Sequence, residues 1–286
     1  MLLSAAAKRA LLFAAATFFL TALTFPGGGA GAADAETSIR IGGTGSALGG
    51  MMEVARAFQK KHPDIGIKFI PSLGSGGGIK AVLSGSLDLA LSARPLNDAE
   101  KARGATGVEY ARTPFVFATA HDVKGRSFTL HDIAAIYGGE TKTWPDGTLI
   151  RPVLRPSTET DLQLLRIMSP EMDIAVQKAM AREGMIVATT DQENADMLTK
   201  VKGAFGATTL AQVLSEKRRL RLLPLDNVSP GVKELAEGSY PHYKVYFAVT
   251  GPRSTDGTRL FLEFLKAAPG RAILTRTGHL VPRRSP

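Results

Sequence analysis

Two glycine-rich segments, Gly42 to Ser46 and Leu73 to Gly78, each lie between a short β-branched run and a helical pattern. Ser38 to Ile41 alternates like a strand and is followed by Leu48, Met51, Met52, Ala55 and Phe58 at helical spacing. Ile65 to Ile70 reads as a second strand, with a helix expected from Ile79 to Ser84 and a third strand from Leu87 to Leu91. A β-loop-α-β-loop-α-β order requires crossovers, so this part of the chain folds as a parallel α/β sheet. Ligands bind at the carboxyl edge of such a sheet, where both glycine-rich loops fall.

That placement sets the chemistry. A helix N-terminus presents unpaired N–H groups and a partial positive charge, glycine allows close backbone approach, and a hydroxyl adds a donor. Ser46 and Ser75 stand at the two expected helix starts. Helix capping would use the same residue types at either loop; their recurrence at the same βα position favours an oxyanion site.

Sharper motifs do not close. Gly43, Gly45 and Gly49 miss the dinucleotide spacing, and no acid stands at the ribose position after Asp64. There is no phosphate-binding P-loop, and Leu73 replaces the first glycine that a nucleophile elbow around Ser75 needs. His62, His121, His131, His242 and His279 show no metal-ligand spacing. The chain has no cysteine, which excludes disulfides, Cys-ligated metals and thiol nucleophiles.

The rest of the 286 residues alternates further strands (Phe115 to Thr119, Ile150 to Leu154, Met185 to Ala188, Ala204 to Thr208, Leu220 to Pro224, Tyr243 to Val249) with helical patterns. The last of these, Thr258 to Ala267, carries Leu260, Phe261, Phe264 and Leu265 on one face. The formal net charge of +9 favours anions. Lys217, Arg218, Arg219 and Arg221 lack interleaved aromatics, so no nucleic-acid partner is expected.

At the N-terminus, Lys8 and Arg9 precede the apolar run Ala10 to Phe25, then Pro26 and Gly27 to Gly29, then Ala30-Gly31-Ala32. This is the layout of a secretory signal peptide over residues 1–32, cleaved before Ala33. The glycines argue against the alternative, a retained anchor.

In sequence order, eight segments resemble the periplasmic solute-binding proteins of phosphate ABC transporters. They are Gly43-Thr44-Gly45-Ser46-Ala47-Leu48, Gly74-Ser75-Gly76-Gly77-Gly78-Ile79-Lys80, and Asp88 to Leu96. Next come Asp132 to Gly139 with Trp144, Asp146 and Gly147, then Val153-Leu154-Arg155-Pro156 and Gly203-Ala204-Phe205-Gly206. Gly238-Ser239-Tyr240-Pro241 and Gly278-His279-Leu280-Val281-Pro282 complete the series.

The resemblance implies an α/β, two-lobed type II "Venus flytrap" with two hinge crossings. Residues 36–113 and 245–281 would form lobe I, 114–244 lobe II and 282–286 a tail. It implies ligand contacts at Ser46, Ala47, Leu48, Ser75, Gly76, Ser92, Arg94, Arg155, Thr158 and Thr160, with no cofactor, metal or catalytic residue. The ligand would be a tetrahedral oxyanion, phosphate first, delivered by a monomeric periplasmic protein without lipid anchor to an inner-membrane ABC permease. Two other roles stay open: a sensor partnering a membrane histidine kinase, and a secreted serine hydrolase using Ser75 or Ser46.

Two departures bear on the ligand. Ala93 stands where studied relatives carry a proton-accepting aspartate. Glu159 and Asp161 flank the expected third donor loop, where they must either face solvent or repel an anion. Arg155 and Arg94 have alternative partners in Glu159 and in Asp98 or Glu100.

Overall fold

The computed structural model describes residues 37–282 except 124. The expected signal peptide lies outside them, as do the last four residues of the expected tail. In chain order the elements are β1 (Thr37–Gly43), α1 (Gly45–Gln59), β2 (Ile65–Phe69), α2 (Gly74–Ser84), β3 (Leu89–Ser92), α3 (Asp98–Ala102) and β4 (Thr106–Thr119). Then follow α4 (Leu130–Gly138), β5 (Arg151–Leu154), α5 (Thr160–Ile167), α6 (Pro170–Ala181), β6 (Ile186–Val187), α7 (Asp191–Lys200) and β7 (Ala204–Thr209). The last are α8 (Leu210–Ser215), β8 (Arg221–Leu222), α9 (Val232–Glu237), β9 (Tyr243–Thr250), α10 (Asp256–Lys266) and α11 (Ala268–Arg276).

The strands run in the order β2-β1-β3-β9-β4-β7-β5-β6, with β8 also on β4. β1 pairs in parallel with β2 and β3, as the crossover helices α1 and α2 require, and β5 pairs in parallel with β6 and β7. Joining the two parallel groups are the antiparallel strands β4 and β9. β4 pairs with β9 from Thr106 to Pro114 and with β7 from Phe115 to Ala118, so one strand serves both groups and changes partner at Pro114.

Two large apolar clusters follow this division. One packs Ile39, Ile41, Met51, Val54, Phe58, Leu89, Tyr246, Phe261 and Leu274, and draws on 39–111 and 246–274 with Ala211 alone from between. The other, around Phe117, Tyr137, Trp144, Leu162, Val176 and Phe205, lies wholly within 115–240. In α1 the buried Ala47, Leu48, Met51, Val54, Ala55 and Phe58 recur every three or four residues, which turns one face of the helix onto the first cluster.

The site depends on close backbone approach between β1 and α2. Gly43 has φ +126° and stands against the Leu91 carbonyl, where no side chain fits. A Cβ on Gly78 would lie 2.8 Å from Gly43 Cα. These contacts let Thr44 N–H donate to Leu91 O (2.8 Å) and Leu73 N–H to Gly43 O (2.9 Å), which brings the N-termini of α1 and α2 to one sheet edge.

Two expectations from the sequence change here. The second helix begins at Gly74, not Ile79, so Ser75 and Gly76 lie in its first turn. The strand expected at Phe115 is the second half of β4, whose first half carries the polar Glu109 and Arg112.

Candidate ligand-binding site

The edge holding the α1 and α2 N-termini faces α5, α7 and β9 across a buried polar cluster. From α1 come Thr44, Gly45, Ser46, Ala47 and Leu48, all buried. Thr44 is the N-cap residue, and its hydroxyl lies 3.3 Å from Ser46 Oγ and 3.4 Å from Asp191 Oδ2. From α2, Ser75 is buried, and its Oγ accepts from Ala93 N–H at 2.8 Å.

The half built on β5 and β7 contributes one cation and three carboxylates, and the shared strand β9 adds a second cation. Arg155, 3% exposed, follows β5; its Nη1 donates to Ala188 O at 2.7 Å, and its Nη2 lies 3.5 Å from Glu159 and 3.9 Å from Asp191. Its Nε–H has no hydrogen-bond partner among the described residues. Lys244, 1% exposed, sits at the start of β9 and bonds Asp161. Its ammonium also lies 3.4 Å from Ser46 Oγ and 3.9 Å from Asp191 Oδ1.

Environment shifts the three carboxylates in different directions. Burial is the largest influence on Asp191 and acts to raise its pKa. Lys244, Arg155 and the amides of Ser46 and Gly45 outweigh it, holding the group below the usual carboxylate range. Burial wins at Asp161, which is raised despite Lys244, and at Glu159, raised despite Arg155. The one acid shifted down is therefore the one at the α1 N-terminus.

Ser46, Ala47, Leu48, Ser75, Ser92 and Arg155 are thus brought to this buried edge. Ser92 bonds its own turn, donating from Oγ to Arg94 O at 2.7 Å. Arg94 is drawn away from the edge into a bidentate pair with Glu100, at 2.9 and 2.7 Å. Thr158 is exposed, and Thr160 lines an apolar groove of about 590 Å³ with Leu164, Met168, His242 and Phe247. Of the two ways expected for the acids near α5, Asp161 takes neither. It is buried and neutralised by Lys244, because β9 delivers an ammonium directly to it.

Sequence reasoning missed Lys244, Asp191 and Gln192. For Lys244 a signal existed. In Tyr243 to Val249 the alternation puts it on the same side as the buried Tyr246 and Ala248, which places a lone lysine on an interior face. Asp191 and Gln192 read as an ordinary acidic first turn of α7; only the tertiary fold sets them against α1.

The arrangement is suited to hold oxygen atoms of an anion: backbone amides, hydroxyls, a guanidinium and an ammonium converge, shielded from water. Neither Ser46 nor Ser75 has a histidine among its hydrogen-bond partners in the described residues.

A sheet of two parallel groups joined by two shared antiparallel strands, with a polar site at the junction, defines a two-lobed α/β binding-protein fold. A family model described as "PBP superfamily domain" matches residues 29–268, and the chain belongs to that family. The phosphate-binding protein PstS of Bacillus subtilis (strain 168) is 23% identical over 256 residues, covering 86% of this chain and 81% of the relative. Among solved structures, one from Clostridium perfringens is described as a candidate phosphate ABC transporter substrate-binding protein with bound phosphate. It superposes with a TM-score of 0.73 at 21% identity, covering 86% of this chain and all of that one. The periplasmic molybdate-binding protein of Azotobacter vinelandii does so with a TM-score of 0.59 at 15% identity, covering 86% and 100%.

Proposed function

We propose that this chain is a solute-binding protein, not an enzyme, that captures a tetrahedral oxyanion, phosphate first, between its two halves for an ABC permease. The observation that carries the reading is that the α1 N-terminus already holds an oxyanion, the Asp191 carboxylate, which accepts from the N-cap Thr44 hydroxyl at 3.4 Å and lies beside Lys244 and Arg155. The phosphate-binding names of the relatives support phosphate over other anions. In this reading the lobes are 36–113 with 245–281 and 114–244, consistent with the partner change of β4 at Pro114 and the separation of the two apolar clusters. The protein works as an exported, periplasmic monomer, in keeping with the signal-peptide pattern of residues 1–32 and with the absence of any described helix long and apolar enough to cross a membrane. The binding contacts are Ser46, Ala47, Leu48, Ser75, Gly76 and Arg155, with Ser92 behind Ser75; the pairing of Arg94 with Glu100 and the exposure of Thr158 weigh against these two.

Thermal unfolding of ligand-stripped protein against phosphate, sulfate, molybdate and arsenate tests this. Phosphate at 100 times its dissociation constant is expected to stabilise the fold by about 2.7 kcal/mol. Arg155→Ala should abolish the effect. Absence of a response to every anion, or an undiminished response in that variant, would count against the reading.

A further inference from the structure

We infer that Asp191 is a tethered ligand, whose carboxylate closes the cleft in place of a solute anion, so that an incoming anion binds by displacing it. The inference rests on the cleft being the binding site proposed above. Asp191 is the first residue of α7, an element of the half built on β5 and β7, yet its carboxylate accepts from the hydroxyl of Thr44, the N-cap residue of α1 in the other half, at 3.4 Å. It is 3% exposed and lies within 3.9 Å of both cations. The next residue repeats the link: Gln192 Nε2 donates to Gly45 O at 3.0 Å. A second acid from the same half addresses the second helix, since Glu159 Oε1 lies 2.9 Å from where a Cβ on Gly74, the first residue of α2, would stand. Both helix N-termini thus face carboxylates of the chain's own opposite half.

Space and charge make this occupancy exclusive. A Cβ on Gly45 would lie 3.0 Å from Asp191 Cβ, which leaves no room for a solute anion between that side chain and α1. Glu159, Asp161 and Asp191 already outnumber Arg155 and Lys244, so adding an anion without removing Asp191 deepens a buried negative excess. A carboxylate offers two oxygens where a tetrahedral anion offers four, and the unspent Nε–H of Arg155 is a buried donor that Asp191 leaves unsatisfied. Exchange of Asp191 for a tetrahedral anion would supply that acceptor.

The measurement is small-angle X-ray scattering of ligand-stripped wild type and Asp191→Ala, each with and without inorganic phosphate, alongside calorimetric titration with phosphate. Stripped wild type should be as compact as the phosphate-bound form. Stripped Asp191→Ala should have a larger radius of gyration that phosphate returns to the wild-type value. If the stripped chain is nine-tenths self-closed, removing the competitor tightens phosphate binding about tenfold. Equal radii for the two stripped proteins, or weaker phosphate binding in a variant of unchanged radius, would overturn the inference. An open Asp191→Ala that no phosphate closes would instead sink the phosphate reading and leave the self-liganded cleft standing. Should Asp191→Ala fail to fold, Asp191→Asn removes the charge at constant size and is read by the same criteria.

Discussion

Lys244 and Asp161 form a buried ion pair between β9 and α5, and its energetics are asymmetric. Removing one partner leaves an uncompensated charge in the interior, which costs about 3 to 5 kcal/mol, whereas replacing both with apolar groups is often neutral. Lys244→Met should therefore destabilise the chain by that amount in urea titration, and Lys244→Met with Asp161→Leu should recover most of it. A double variant no more stable than the single one would show that the pair is not the unit. His279 makes a second residue-scale test. Its Nδ1–H donates to Leu274 O at 3.0 Å while Nε2 has no partner among the described residues, and burial pushes its pKa from 6.5 down to about 4. The folded state thus binds the proton more weakly than the unfolded chain, so this contribution to stability is complete above about pH 6.5 and is lost as pH falls toward 4. The loss is about 3 kcal/mol, and the difference in stability between wild type and His279→Gln should follow that window. Of the candidate site, Ser46 and Ser75 were legible because helix starts leave local marks, and Arg155 through the family resemblance of Val153 to Pro156. Asp191 left none, since the groups it meets are distant in the chain, Thr44 by 147 residues.

At the scale of elements, α2 is the instructive case. Its glycines argue for a loop by propensity, yet α2 is helical from Gly74, and at Gly78, where it packs on β1 and β3, only a bare Cα fits. Gly76 meets nothing within 4 Å, while Gly78 abuts the Gly43 backbone. Gly76→Ala should stabilise by roughly 0.5 to 1 kcal/mol through the unfolded chain and helix propensity. Gly78→Ala should instead destabilise by about 1 to 3 kcal/mol, as backbone cannot give way cheaply. Equal effects in chemical denaturation would remove the packing explanation. The same competition hid the first half of β4: Glu109, Arg112 and Pro114 break strand patterning, but pairing with β9 and the Arg112–Glu109 bond at 2.7 Å satisfy them. α8, α9 and α11 are short or polar enough that no periodic signal stood out. The parallel core was legible because its apolar runs alternate with turn glycines in a fixed order.

Across the whole molecule, the described residues form one compact unit although their apolar core is divided. What ties the division together is backbone and buried polarity. β4 and β9 pair over Thr106 to Pro114 before β4 enters the second group. Thr113 Oγ1 donates to Gly278 O at 2.9 Å and accepts from Ala211 N–H at 3.0 Å, and Lys244 joins β9 to α5. None of these links is local in sequence, which is why the motif order disclosed two lobes but not what couples them. The coupling is open to direct measurement, because Trp144 is the chain's single tryptophan and is buried in the second cluster alone, ring-stacked 5.3 Å from His121. Its fluorescence reports that cluster, whereas far-ultraviolet circular dichroism averages over every helix and strand. If the shared strands and buried bonds make the halves unfold together, the two urea transitions should have the same midpoint and slope. Lys244→Met cuts one of those links, so the tryptophan transition should then move apart from the dichroism. Coincident curves in both proteins would place the coupling in β4 and β9 alone; separate curves already in the wild type would mean that each half carries its own stability and that cleft closure adds little to the fold.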